Sequence, residues 1–221
     1  IFISVIQTPE VAKTLTIECN KIECDLAFSS PCFIKSNLEG EHQFINAGLA
    51  IALVKGLGFT IDNSLIEKSL STTYWPARLE SFTYQNSKII IDGAHNPHAI
   101  KVISEYLCEK YYNQTWQMVF GCLKGHDAHE MALIFKNNNY DNIKKIYLAV
   151  PKNPRALSYN ELENMFILAG FDKHMVLPFI DLKHIINHEH NFTLVCGSLY
   201  LAGELRQKIV NMDSDSYISN Y

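Results

Sequence analysis

Asp92 and His95 are the residues whose types and spacing first point to chemistry. They follow the apolar run at residues 88–91, so we expect them where a strand ends. A carboxylate in such a place can accept hydrogen bonds from ribose hydroxyls, and an imidazole can orient a substrate or move a proton. The alternative is structural, with Asp92 opening a turn and His95 capping the next helix. The spacing by itself leaves both interpretations open.

Two other positions carry side chains that suit a nucleotide. The Arg78 guanidinium could bind phosphate with two parallel hydrogen bonds, or it could form a surface ion pair with Glu80. Asn46 shares one helix face with His42 and Gln43, because residues three and four apart are neighbours on a helix. Amides and an imidazole together suit the edge of a purine, and they equally suit a face that is covered by water.

The sequence gives little support for a metal site or a phosphate loop. His126 and His129 lie three residues apart beside Asp127, a spacing that could hold a metal ion. No third ligand of matching pattern is present, so we predict the exposed start of a helix and no metal ligands. The sequence contains neither Gly-x4-Gly-Lys-Ser/Thr nor Gly-x-Gly-x-x-Gly. A nicotinamide-binding domain is therefore disfavoured, and no means of cradling a triphosphate is visible.

The elements that must position these residues alternate between strand and helix from residue 81 onward. This alternation is typical of an α/β fold, and the apolar residues 89–91 fit a strand that is covered on both faces. We predict a mostly parallel sheet with helices on both faces, whose strand ends gather the polar loops. The predicted strands are 81–85, 88–92, 117–121, 145–150, 174–177 and 192–196, with a hairpin turn at Asn86-Ser87 and helices at 97–110, 126–137, 159–169, 181–187 and 199–210.

Residues 1–80 have a different pattern. We predict strands at 1–6, 26–28 and 32–34, a helix that begins at Thr8-Pro9, and helices at 40–57 and 64–70. Residues 137–139 are expected to form a loop, and the tail from residue 213 is expected to fray. The first strands and helix look like the end of a domain whose beginning is absent.

Composition limits the classes of partner. Lys and Arg total 19 against 23 Asp and Glu, a net charge of −4, which argues against a nucleic-acid-binding protein. The apolar runs fall far short of the roughly 20 residues that a membrane helix needs. No signal peptide is recognisable at the start. We therefore expect a cytoplasmic protein without a nucleic-acid or membrane partner.

Five motifs, in their order and spacing, resemble those of the folylpolyglutamate synthase/dihydrofolate synthase family, the folate branch of the Mur ligases. The resemblance covers nearly all of the chain. It implies the end of a central ATPase domain and its linking helices at 1–80, and a Rossmann-like glutamate-ligase domain at 81–221. The motifs are His42-Gln43-x-x-Asn46-Ala47, Trp75-Pro76-Ala77-Arg78-Leu79-Glu80, Asp92-Gly93-Ala94-His95-Asn96-Pro97, Asn153-Pro154-Arg155-Ala156-Leu157 and Gly197-Ser198-Leu199-Tyr200.

The resemblance also implies a reaction. ATP would phosphorylate a carboxylate of dihydropteroate or of a folate, and the amine of L-glutamate would then attack the acyl phosphate. The matching positions imply roles for six residues: Asn46 at adenine, Arg78 at the phosphates, Asp92 at the ribose, His95 and Ser198 at glutamate or the acyl phosphate, and Asp127 on the substrate side, with His95 and Arg78 as the catalytic pair.

The family's remaining parts would lie before Ile1. These are the phosphate loop, the folate-binding loops and the Mg²⁺ ligands, including a carbamylated lysine, so we expect the 221 residues alone to be inactive. The expected assembly is a monomer. The alternative from a different class is a non-catalytic α/β module that binds a nucleotide or another ligand, a truncated remnant of such an enzyme.

Two positions depart from the family pattern. Ala77 stands where the family usually has glycine, which looks like a minor change. His126 stands where the family usually has lysine. If that lysine assists the binding of glutamate or phosphate, the histidine is expected to do so more weakly and in a pH-dependent way.

Overall fold

The computed structural model describes residues 1–84, 87–186 and 192–211, together with the backbone of residues 217–220. The chain divides into two compact units, Ile1–Trp75 and Pro76–Tyr221. Each unit has its own secondary structure and is described by itself.

The first unit contains two parallel strands and three helices. The predicted strand at 32–34 is wrong: this segment is irregular, and the Cys32 N–H donates to the Phe44 carbonyl (2.8 Å), which ties it to a helix instead of a sheet. The elements of this unit are β1 (Phe2–Val5), α1 (Pro9–Lys21), β2 (Leu26–Ser29), α2 (His42–Gly56) and α3 (Asn63–Thr72).

The second unit is built on a seven-stranded sheet with the order β7-β6-β5-β8-β4-β3-β9. Neighbouring strands from β7 to β4 are parallel, whereas β3 is antiparallel to both β4 and β9. The predicted mostly parallel sheet is confirmed. The strands are β3 (Glu80–Tyr84), β4 (Ser87–Ile91), β5 (Trp116–Phe120), β6 (Ile143–Leu148), β7 (Val176–Pro178), β8 (Phe192–Cys196) and β9 (Tyr217–Asn220).

Helices cover both faces of this sheet, as predicted. Side chains alternate along each strand, so Ile90 and Met118 face α4, α5 and α6 in one cluster of buried residues, whereas Ile89 and Val119 face α7 and α8 in another. Burial of apolar side chains on both faces accounts for the non-alternating strand sequences. The helices are α4 (Pro97–Lys110), α5 (Ala128–Asn139), α6 (Tyr159–Leu168), α7 (Leu182–Ile186) and α8 (Leu199–Val210).

The structure departs from the sequence predictions at the end of α5 and in the tail. The expected loop at residues 137–139 is wrong, because α5 continues to Asn139. The expected frayed tail is wrong for residues 217–220, which pair with β3. The predicted hairpin turn at Asn86-Ser87 lies partly outside the described residues, since residues 85 and 86 are not among them. Of the helices that the structure does describe, none combines the length and the apolar character that crossing a bilayer demands.

Candidate functional site

The segments that follow β4, β5, β6 and β8 meet at one edge of the sheet, because the carboxyl ends of parallel strands coincide. Backbone hydrogen bonds join these segments directly. The Asp92 N–H donates to the Val195 carbonyl (2.9 Å), and the Gly197 N–H donates to the Ala94 carbonyl (2.8 Å). The second unit therefore brings together the strand ends on which the sequence places Asp92, His95, Asp127 and Ser198.

The Asp92 carboxylate is buried and holds two backbone N–H groups. Leu79 donates to its Oδ2 and Ala94 to its Oδ1, each at 2.8 Å. Burial raises the pKa of this carboxyl above its ordinary value, and the two N–H donors and the charges of Arg78 and His95 oppose that rise. Asp92 does open a turn, as the structural interpretation predicts. Its carboxylate oxygens still have lone pairs that could accept from a ligand.

The turn at residues 76–79 has a strained backbone. Ala77 (φ 54°) and Leu79 (φ 48°) both lie in the left-handed region, which costs a residue with a side chain about 1–2 kcal/mol. Glycine adopts this conformation without that cost. Replacing the family's usual glycine by Ala77 looks like a minor change in the sequence, but it places a residue with a side chain in a strained backbone conformation.

Three hydrogen bonds hold the turn in this conformation. The Leu79 N–H reaches Asp92, the Gly93 N–H donates to the Ala77 carbonyl (2.8 Å), and the Ala77 N–H donates to Glu80 Oε2 (2.9 Å). Glu80 in turn accepts from Arg206 Nε on α8, at 2.8 Å and 3.1 Å to its two carboxylate oxygens.

Arg78 lies between the two strained residues and is partly exposed. In the part of the chain that the structure describes, it takes part in no hydrogen bond or ion pair, and Glu80 binds Arg206 instead. The predicted alternative of an Arg78–Glu80 surface pair is therefore wrong. The Arg78 charge lowers the pKa of the Asp92 carboxyl. Because the next residue, Leu79, donates its N–H to Asp92, the backbone at Arg78 lies close to that carboxylate.

The two histidines at the sheet edge pack against each other. The His95 and His126 rings are 5.2 Å apart between centroids and meet edge to face. His95 Nδ1 lies 2.8 Å from the Gly93 carbonyl, so Nδ1 carries the proton and Nε2 is the nitrogen left for a ligand. Burial lowers the pKa of His126, and the charges of His95 and Arg155 lower it further.

His95 is not the helix cap that the structural interpretation expects. The cap of α4 is Asn96, whose side-chain oxygen accepts from the Ala99 N–H at 2.9 Å. Asparagine is a preferred capping residue because its short side chain reaches the free N–H groups of the first turn. His95 therefore has no part in starting the helix, and its ring is available at the strand end.

Ser198 and Asp127 occupy similar places, each directly before a helix of the second unit. The buried Ser198 hydroxyl accepts from the Tyr200 N–H (3.2 Å), and the exposed Asp127 carboxylate accepts from the Glu130 N–H (2.9 Å). Gly197 has a φ of 98°, and a Cβ there would lie 2.6 Å from the Gly121 carbonyl oxygen. The tight turn before Ser198 therefore requires glycine.

The Asn153-Pro154-Arg155 segment joins the loop that carries His126. Lys124 N–H donates to the Arg155 carbonyl (2.6 Å), and Leu123 pairs with Ala156 in an isolated antiparallel bridge. This pairing brings the Arg155 charge close enough to act on His126. The sequence motif is thus part of the same edge.

Asn46 belongs to the first unit. It is exposed on α2, and its Nδ2 donates to Gln43 Oε1 (3.0 Å), while Gln43 Nε2 lies 2.9 Å from His42 Nε2. The predicted shared face of these three residues is confirmed. Gln43 is buried and Asn46 is exposed, so the Asn46 amide is the one that a ligand at the start of α2 can reach.

The possible metal site at His126 and His129 lies within the described ranges 1–84, 87–186 and 192–211. No group of three or more His, Cys, Asp or Glu side chains there could hold a metal ion. His126 precedes α5 and His129 lies within its first turn. His126 and His129 are therefore not part of such a group.

Comparisons with known proteins give a consistent result. A family model described as the Mur ligase glutamate ligase domain matches residues 77–199. Dihydrofolate synthetase of Saccharomyces cerevisiae is 27% identical over an alignment of 197 residues, and the match covers 79% of this chain and 46% of that protein. Dihydrofolate synthase/folylpolyglutamate synthase of Bacillus subtilis is 26% identical over an alignment of 184 residues, and the match covers 80% of this chain and 41% of that protein.

Solved structures share the fold. Folylpolyglutamate synthase of Mycobacterium tuberculosis, complexed with ADP and AMPPCP, matches with a TM-score of 0.80 at 19% identity and covers 96% of this chain and 55% of that one. A bifunctional folylpolyglutamate synthase/dihydrofolate synthase with Mn, AMPPNP and L-glutamate bound matches with a TM-score of 0.69 at 17% identity, over 89% of this chain and 50% of that one.

The chain thus spans about half the length of the relatives that it matches. The family match includes the strained turn, the Asp92 loop, both histidines and the start of α8. The chain belongs to the Mur ligase family and contains its glutamate ligase domain.

Proposed function

We propose that the protein containing this chain is an ATP-dependent ligase that joins L-glutamate to dihydropteroate or to a folate through an acyl phosphate. The names of the relatives support this activity, as do the nucleotides and glutamate bound in the structures of similar fold. The observation that carries the proposal is Arg78, a cation without an ion pair among the described residues, held beside Asp92 at the strand ends.

The nucleotide-binding roles follow from side-chain chemistry. Arg78 would bind the phosphates and offset negative charge while the phosphoryl group moves. Asp92 would accept from the ribose hydroxyls with the lone pairs that its two backbone donors leave unused. Asn46 would contact adenine through its exposed amide.

The remaining residues would serve the attack by glutamate. With the proton on Nδ1, His95 Nε2 can accept a proton from the attacking amine. Ser198 keeps a hydroxyl hydrogen to donate, because its oxygen only accepts from Tyr200. Asp127 would attract the ammonium group of glutamate from the start of α5.

The first unit fits the proposed end of an ATPase domain. Helix α2 carries apolar residues on nearly every side, yet its buried residues are only Gln43, Ala47 and Gly48. Ile45 and Leu53 of the same helix are 44% and 45% exposed. Helices that are apolar on every side are normally surrounded by other elements. The phosphate loop and Mg²⁺ ligands are proposed to lie in those elements, outside the 221 residues, which alone are therefore expected to be inactive.

The test is release of inorganic phosphate by the complete protein. We expect release that needs ATP, L-glutamate and one pterin acceptor together, with dihydropteroate and tetrahydrofolate assayed separately. Arg78→Ala should lower this turnover by orders of magnitude. Nucleotide binding without any acceptor-dependent turnover would instead favour the non-catalytic module. An Arg78→Ala turnover within about threefold of wild type would contradict the role proposed for Arg78.

A further inference from the structure

We infer that Glu80 and Arg206 are positioning residues: they fix the turn at residues 76–79 and so aim Arg78 at the phosphates of bound nucleotide. This inference rests on the proposed function, in which Arg78 binds those phosphates. Neither Glu80 nor Arg206 needs to touch the nucleotide. Their effect passes through the backbone of the turn.

The turn requires an external constraint. Two residues with side chains, Ala77 and Leu79, flank Arg78 and both adopt positive φ values, 54° and 48°. Left to itself, such a segment would relax to negative φ and carry the guanidinium elsewhere. The direction of Arg78 therefore depends on the groups that hold the two flanking N–H groups.

Two buried carboxylates provide that constraint from adjacent strands. Glu80 is the first residue of β3 and pairs with Ile91, the last residue of β4, which directly precedes Asp92. The two acidic side chains thus lie at the same end of the β3–β4 pair. Glu80 accepts a hydrogen bond from the Ala77 N–H, and Asp92 accepts one from the Leu79 N–H, so the two bonds lie on either side of Arg78 in the sequence.

Arg206 is what keeps Glu80 in place. The Glu80 side chain is only 5% exposed, and a buried carboxylate persists where it is paired and hydrogen-bonded. Arg206 Nε contacts both carboxylate oxygens, at 2.8 Å and 3.1 Å. Because Arg206 lies on α8, the helix that begins after Ser198, the pair also links the turn to the other end of the candidate site.

Without Arg206, the buried Glu80 carboxylate would lose the guanidinium that contacts both of its oxygens, and it would shift towards water. The Ala77 N–H would lose its acceptor, and the turn could relax. A displacement of about 1 Å at a phosphate-binding group can lower a rate by about 100-fold. We therefore expect substitution of Arg206 to reduce turnover when Arg78 is present, and to have little effect when Arg78 has already been removed.

A double-mutant cycle in the complete protein tests this dependence. The four proteins are wild type, Arg78→Ala, Arg206→Gln and the double variant, and kcat and the KM for ATP are measured by incorporation of radiolabelled glutamate, which detects slow variants. Arg206→Gln should lower kcat/KM for ATP by about 10- to 100-fold when Arg78 is present and by less than twofold when it is absent. Lys208→Gln, which removes an exposed positive charge from the same helix, is the matched control and should stay within twofold of wild type.

The outcomes separate the two proposals. If Arg206→Gln lowers kcat/KM for ATP equally with and without Arg78, its role is merely structural and the inference is overturned. The inference also fails if kcat/KM of Arg206→Gln stays within twofold of the wild-type value. If Arg78→Ala itself is nearly as active as wild type, the proposed function of Arg78 fails instead. If Arg206→Gln does not fold, the same criterion is applied to Arg206→Lys. This variant keeps the positive charge beside Glu80 but loses the planar guanidinium that contacts both carboxylate oxygens.

Discussion

The single side chain with the clearest consequence for substrate binding is His126. Its pKa lies below the ordinary 6.5 because of burial and then the charges of His95 and Arg155, so the ring is neutral at pH 7. The resemblance to folate ligases places a permanently charged lysine here. A neutral imidazole binds a carboxylate or phosphate less strongly than an ammonium group does.

His126→Lys is therefore expected to lower the KM for glutamate at pH 7.5 by about three- to tenfold. This corresponds to about 1 kcal/mol, the usual difference between a charged and a neutral hydrogen-bond donor. The measurement is steady-state kinetics of the complete protein at saturating ATP. An unchanged KM would mean that position 126 does not face glutamate.

The same residue predicts a pH response. Because the pKa of His126 is lowered, the ring gains its charge only as the pH falls below 6.5, so the KM of wild type should decrease on acidification. His126→Gln cannot gain a charge, and His126→Lys keeps one throughout. Both variants should therefore lack the part of the pH dependence that belongs to His126, and an identical profile in all three proteins would contradict this assignment.

How much of the site could be predicted depends on how local its contacts are. Asp92, His95 and Ser198 follow strands, so the strand pattern alone places them at one edge. Arg206 could not be found this way, because its partner Glu80 is 126 residues away in the sequence. The positive φ values of Ala77 and Leu79 were equally hidden, since neither residue is one that normally signals a left-handed turn.

At the level of helices and strands, a polar network decides where α5 ends. Ser104 of α4 donates to Asn139 Oδ1 (2.6 Å) and accepts from Asn138 Nδ2 (2.9 Å), and Asn139 Nδ2 also donates to the Ser104 carbonyl (3.3 Å). Three consecutive asparagines favour a loop by propensity. The contacts with α4 override that preference and extend the helix.

Removing the centre of this network should be costly. Ser104→Ala leaves the buried Asn139 oxygen without its donor and should lower the free energy of unfolding by about 1–3 kcal/mol. Urea unfolding followed by circular dichroism measures the change, with Lys101→Ala on the exposed face of the same helix as the control. A loss as small as that of the control would show that the network does not stabilise the α4–α5 packing.

Helices with clear boundary residues were the easiest elements to predict. Helix α8 follows Ser198 and runs over residues 199–210 as expected, and α4 begins at Pro97 as expected. The strand expected at 32–34 is absent, and the Cys32 N–H donates to the Phe44 carbonyl in the first turn of α2 instead of to a neighbouring strand. Propensity describes a residue, whereas strand formation also needs a partner.

The two compact units differ in how well they bury their apolar residues. Both faces of the seven-stranded sheet are covered by helices, with Trp116 1% exposed, whereas the first unit leaves Phe33 and Leu57 80% and 75% exposed. Burial of apolar surface is the main stabilising contribution in folding. The second unit therefore has what an independently folding domain requires.

A polypeptide of residues 76–221 should consequently unfold in one cooperative step. Trp116 is its single tryptophan, so fluorescence reports the sheet core directly. We expect the fluorescence and circular dichroism transitions in urea to coincide. Residues 1–75 expressed alone should give no such transition, and separate transitions for the two probes of residues 76–221 would refute its independence.

Strand β9 has a practical consequence for anyone who purifies this protein. Asn220 pairs with Ser81, two positions beyond the strained Leu79, so the backbone near residue 220 runs beside the start of β3. An affinity tag fused close to residue 220 would begin beside the start of β3, near Arg78, which we propose binds the phosphates of ATP, and would compete with ATP for that side chain. A cleavable tag at the opposite terminus avoids this interference in every kinetic assay.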